Sequence, residues 1–207
     1  MPCFSSGSLQ KTTILILALL ISTVMDHFDL ALKLLAAGQL DEARIYLEEF
    51  LRQDPDNPDL LYNLGLCYVD LGQLDKGIEL LNRSLQIAPQ HSNACVALGI
   101  AYQKKGDLAQ AKAFISRALA IDPKNPVALK NLGAILGREG DSLRALYYLR
   151  QSYQINPQDP QTVYGLAFAY MEIGDIEQAQ KHFQMVLDMP APEECEPWPG
   201  TGYGRSP

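Results

Sequence analysis

The side chains with chemistry to offer are few, and their spacing gives them little to do. The chain has three histidines, His27, His91 and His182, and none stands beside a Cys or Asp at a spacing that would make a base or a nucleophile. Four cysteines, Cys3, Cys67, Cys95 and Cys195, form no Cys-x-x-Cys and no Cys/His pattern, so neither a metal site nor a disulfide framework is expected. A phosphate-cradling loop of the form G-x-x-x-x-G-K-[ST] is missing, and Glu48-Glu49 and Glu193-Glu194 read as solvated charges. These residues predict a non-enzymatic chain without cofactor or metal. The net charge of −7 argues against a broad nucleic-acid surface, which needs clustered Lys and Arg.

What the sequence does carry is a period. Glycine returns at Gly38, Gly72, Gly106, Gly140 and Gly174, and proline at Pro55, Pro89, Pro123 and Pro157, always 34 residues apart. A Leu followed by a small residue returns at Leu30-Ala31, Leu64-Gly65, Leu98-Gly99, Leu132-Gly133 and Leu166-Ala167. A second small position reads Ala43, Gly77, Ala111, Ala145 and Ala179. Repetition at this period points to a stacked array of short units.

Each repeat reads as two helices. In the first, Leu61, Leu64, Gly65 and Tyr68 share one face at i, i+3, i+4, i+7. Gly72 ends it in a left-handed turn that a Cβ would strain. The next position, Gln39, Gln73, Asp107, Asp141 or Asp175, opens the second helix, and an Asp there can accept a backbone N–H bond. Leu74, Gly77, Ile78, Leu81 and Leu85 face inward, and Pro89 stops the helix. Small residues at Gly65 and Gly77 allow the pair to close up. Cys67 and Cys95 fall on core positions, as small hydrophobes.

The pattern resembles the tetratricopeptide repeat, carried by Leu64, Gly65, Tyr68, Gly77, Leu81, Pro89 and their equivalents. It departs at the bulky first position, which reads His27, Leu61, Cys95, Leu129 and Val163, and at Leu136, where Tyr68, Tyr102 and Tyr170 stand in three of the repeats. The resemblance implies an all-α fold, an α-solenoid in which about five repeats wind into a right-handed superhelix with first helices lining a concave groove. The repeats are 24–57, 58–91, 92–125, 126–159 and 160–190.

Groove positions carried over from the family are Phe28, Leu32, Tyr62, Asn63, Leu66, Val96, Ile100, Lys104, Lys130, Asn131, Arg138, Tyr164 and Phe168. They give aromatic and aliphatic ends with Lys104, Lys130 and Arg138 between, a strip suited to acidic groups on a protein or peptide partner. Chaperone-tail binders of the family hold a C-terminal carboxylate with a Lys/Asn/Asn/Lys/Arg clamp. Here those positions read Phe28, Leu32, Asn63, Asn93 and Ala97, or Tyr62, Leu66, Ala97, Val127 and Asn131, so chaperone-tail recruitment is not expected.

The ends stand outside the period. Residues 1–23 include an uncharged apolar run, 14–21, preceded by Lys11. It resembles a signal-peptide core, is too short to span a bilayer, and competes with a start at Met25 that would make 1–24 an artefact. A cytoplasmic scaffold is the first reading, and an exported or membrane-tethered assembly factor held by residues 14–21 is the alternative. Nothing between Gly7 and Gly38 breaks a helix, so the run is expected to continue into the first repeat. The tail, 191–207, is acidic and rich in Pro and Gly, with Trp198 and Tyr203 as its large apolar groups. It cannot build a core of its own. The last repeat then exposes a face near Phe183, Val186 and Leu187 that the tail, a partner or a second copy must cover.

Overall fold

The computed structural model describes residues 28–189. The leader 1–23, its apolar run, its continuation into the first helix and the tail 191–207 lie outside them. Within the described residues every regular element is a helix. They are α1 (28–36), α2 (Leu40–Gln53), α3 (Pro58–Asp70), α4 (Leu74–Ile87), α5 (Ser92–Lys105), α6 (Leu108–Ile121), α7 (Pro126–Arg138), α8 (Ser142–Ile155), α9 (Pro160–Glu172) and α10 (Ile176–Asp188). They form five helix–turn–helix repeats in an all-α fold. The chain divides into two compact units within α7, the first ending at Leu132 and the second beginning at Gly133.

The helix ends follow from local chemistry. Gly106 closes α5 at φ 84°, with its N–H on the Gln103 carbonyl at 3.1 Å and the Asp107 N–H on the Tyr102 carbonyl at 2.9 Å. This double bond satisfies carbonyls that a helix terminus otherwise leaves orphaned. The four equivalent glycines have φ between 72° and 81°. Asp107, Asp141 and Asp175 then accept from the N–H of Gln110, Arg144 and Gln178 at 3.0, 3.1 and 3.1 Å. Gln39 and Gln73 do not cap, because neither side chain bonds a first-turn N–H.

The first helices have their own caps, in a column that falls one residue before each of them. Asn57 Oδ1 accepts from Asp59 and Leu60, His91 Nδ1 from Ala94, Asn125 Oδ1 from Ala128, and Asp159 Oδ1 from Gln161. Proline occupies the first position of α3 and α9, where its missing N–H has no partner to lose.

In the first unit α3 packs on α4, α5 on α6, and α3 also touches α5. The α3–α4 contact is closest where two glycines meet. A Cβ on Gly77 would lie 2.6 Å from Val69 Cγ2 and 2.8 Å from the Gly65 carbonyl. Leu61, Leu81, Leu98 and Ile115 are fully buried around such contacts. Recurrent clasps tie second helices to the preceding turn, with Arg83 donating to the Pro55 carbonyl at 3.0 Å and Arg117 to the Pro89 carbonyl at 2.9 Å. In the second unit Leu149 of α8 fills the space left by Gly133 and Gly165. The buried Ser152 and Thr162 hydroxyls share a 3.2 Å bond, and Thr162 donates to Asp159 at 2.6 Å. His182 of α10 lies against the Tyr153 and Tyr170 rings.

Candidate peptide-binding face

In the first unit the predicted groove residues sort by exposure. Phe28 meets Phe50 edge-on at 5.9 Å and joins the cluster around Ala31, Leu47 and Leu64. Leu32, Leu66 and Ile100 are half-buried. Val96 is 5% exposed, so it offers a partner almost no surface and belongs to the packing instead. Asn63 and Asn131 are half-buried, and each spends one amide proton on its own helix. Asn63 donates to the Asp59 carbonyl and Asn131 to the Val127 carbonyl, both at 2.8 Å.

Tyr62 is brought beside a residue the sequence reading set aside. Its ring lies 4.8 Å from that of His91, whose Nε2 is 3.4 Å from Asp59 Oδ1. A His–Asp contact therefore exists in space although not in sequence. It does not make a base. Nδ1 already accepts the Ala94 N–H and is spent on the helix end, while Nε2 stands 3.4 Å from Asp59 Oδ1. The imidazole is a helix cap. Burial pushes the Tyr62 hydroxyl above its ordinary value, with the nearby Asp70 charge adding to it.

The basic strip changes at its first member. Lys104 Nζ donates to Asp70 Oδ1 at 3.0 Å and to the Val69 carbonyl at 3.2 Å, so its charge is already matched. The repeat frame held the signal for this pair. One column reads Asp70, Lys104, Arg138 and Glu172, and Lys104 meets the opposite charge one repeat before it. Lys130 is half-buried in the same unit. Arg138, in the second unit, is exposed in the last turn of α7, where a cation complements the helix dipole.

In the second unit Tyr164 is 41% exposed and Phe168 45%, with Met171 at 39% completing an i, i+4, i+7 stripe on α9. Tyr164 rests edge-on against Phe183 at 5.9 Å. The two described thiols are buried, Cys67 being pushed up to about 11 chiefly by burial and Cys95 raised for the same reason. Neither has the lowered pKa of a nucleophile. Among the described residues no group of three or more His, Cys, Asp or Glu could hold a metal, and no helix is long and apolar enough to cross a membrane.

Residues 28–92 match one tetratricopeptide repeat profile, and residues 77–136 and 138–192 match a second of the same description. Among solved structures, TTC0263, a thermophilic TPR protein of Thermus thermophilus, superimposes with a TM-score of 0.70 at 22% identity, covering 80% of this chain and 91% of that one. MamA superimposes with a TM-score of 0.61 at 25% identity, covering 76% of this chain and 92% of that one. A MamA fragment from Desulfovibrio magneticus RS-1 gives 0.63 at 20% identity, covering 80% and 94%. At such identities the first and third of these speak to the fold alone. No curated protein matches the chain at a significant level.

Proposed function

The chain belongs to the tetratricopeptide repeat family, whose members generally mediate protein–protein interactions without catalysis, and from that premise we propose that it is a non-enzymatic scaffold whose first-helix face holds an extended or helical segment of a protein partner. One observation carries the reading. Tyr164, Phe168 and Met171 stand on a single stripe of α9 at 39–45% exposure, while small apolar residues such as Ala167 and Ala169 of the same helix are buried. Clustered exposed aromatics with polar neighbours are the composition of binding anchors. In the first unit Tyr62, Leu66 and Ile100 add half-exposed apolar surface of the same kind.

The test is affinity capture with the wild-type chain against a Tyr62→Ala/Phe168→Ala double variant that melts at an unchanged temperature. Loss of the captured partners is the expected result, and identical partner sets would remove the groove. If the partner carries acidic groups, Lys130→Glu with Arg138→Glu weakens binding and flattens its salt dependence.

A further inference from the structure

A second exposed stripe lies on α8, away from the first-helix face. Leu143 is 72% exposed and Tyr147 62%, and Arg150 is exposed one turn further on, again at i, i+4, i+7. The other repeats supply internal controls. The Leu143 position reads Asp41, Asp75, Ala109 and Glu177, and the Tyr147 position reads Ile45, Glu79, Ala113 and Lys181. Only this repeat sets two large apolar side chains there. Ser142–Ile155 contains Arg144 and Arg150 and no Asp or Glu. Arg144 is held by Asp141 at 3.4 Å, and Tyr147 lies edge-on to Tyr148 at 5.2 Å. The stripe is thus apolar and cationic on a chain of net charge −7.

We propose that the tail of the same chain docks on this stripe, with its acidic residues at Arg150 and Trp198 at Tyr147 and Leu143. After α10 the sequence brings Glu193, Glu194 and Glu196, then Trp198, with no Lys or Arg before Arg205. The order of chemistry along the tail matches the order along α8 read backwards from its end. The reach also matches. α8 opposes α9 through Ser152 and Thr162 and through Leu149 and Gly165, and α9 turns back into α10 at Gly174. Two reversals make α8 and α10 run the same way, and the Tyr153 and His182 rings, 6.2 Å apart, set their level. Asp188 ends α10 six residues past His182, which is about 9 Å along the axis. From there the axial distance back is about 14 Å to Arg150, 18 Å to Tyr147 and 24 Å to Leu143. An extended chain at about 3.3 Å per residue carries Glu194 up to roughly 20 Å and Trp198 up to roughly 33 Å, which covers those axial distances together with the ~10 Å between neighbouring helix axes.

Trp198 is the single tryptophan, so its fluorescence reports the contact directly. In the intact protein its emission is expected to be blue-shifted and shielded from iodide. Leu143→Asp with Tyr147→Glu copies Asp75 and Glu79, which occupy the same positions on an equivalent helix, so the fold is retained and the melting temperature should hold. That variant should move the emission to the position of the isolated tail peptide, and high salt should move it part of the way. An emission that matches the free peptide in the intact protein, or is unmoved by the double variant, overturns the proposal.

Discussion

Helices α3 and α9 hold the same place in the repeat, yet they present their shared positions in opposite ways. Both have 13 residues, begin with proline and set a tyrosine at the fifth position. In α3 the corresponding face meets α5, where Val69 is completely buried and Tyr62 and Leu66 are half-covered. In α9 the matching Tyr164, Phe168 and Met171 stand 39–45% exposed. At the other two positions the larger side chains, Phe168 against Leu66 and Met171 against Val69, are the uncovered ones. A position in this frame is therefore core or contact according to what packs against it, and residue type alone does not decide.

The strongest way to break that comparison is to empty one side of it. Leu61→Ala in α3 removes a side chain with no exposed surface and should cost about 3 kcal/mol, read as a shifted urea midpoint. Phe168→Ala in α9 should cost less, about 1–2 kcal/mol, because nearly half of its surface, 45%, is already open to solvent. Equal costs would mean that α9 is as enclosed as α3.

The turn between the two helices of a repeat comes next in size. Gly106→Val places a β-branched residue at φ 84° and should cost about 1–2 kcal/mol of melting stability. Nothing lies within 4 Å of the added Cβ, so the loss measures backbone strain and not a clash. An unchanged melting curve would contradict a left-handed turn there.

A smaller effect compares the two N-caps. Asn57→Ala removes one acceptor from two N–H groups of α3 and should cost about 1 kcal/mol. Asp159→Ala should cost somewhat more in α9, since the carboxylate also accepts from Thr162 and complements the helix dipole. Chemical denaturation of the two variants side by side checks the order.

The smallest effect is one of pH. Tyr68 of α3 donates to Glu48 at 2.6 Å, and this bond, reinforced by Arg44, holds the Glu48 carboxyl below its ordinary value. A depressed acid contributes stability that is present above its unfolded pKa, about 4.3, and is lost as pH falls through the lowered folded value. Glu48→Gln should therefore flatten the acid side of the stability profile. Urea midpoints at pH 6 and below pH 4 measure the difference, and a wild-type slope in the variant would count against the bond.

Much of the fold was legible because the determinants are local. The glycine period marks the left-handed turns, and Asp107, Asp141 and Asp175 cap where an Asp in that column should. The same rule could not distinguish Gln73, which instead accepts from Lys76 at 2.8 Å. His91 was illegible as a cap because imidazole is not among the usual capping groups, although its column with Asn57, Asn125 and Asp159 points to the role. The candidate face was harder to read. Val96 and Val69 turn inward and Lys104 finds Asp70 only because successive repeats bring residues 34 apart into contact, a relation that no helical period within one repeat contains.

The pairing of each helix with its near neighbours in sequence has a kinetic meaning. The contacts of α3 run to α2, α4 and α5, and those of α9 to α8 and α10, so few loops of any length must close before native contacts form. Chains built this way belong to the fast end of the folding range. During synthesis, a helix hairpin can gain most of its partners while the following repeat is still being made. Opening can likewise proceed repeat by repeat, with amide exchange graded along the chain instead of rising and falling as one.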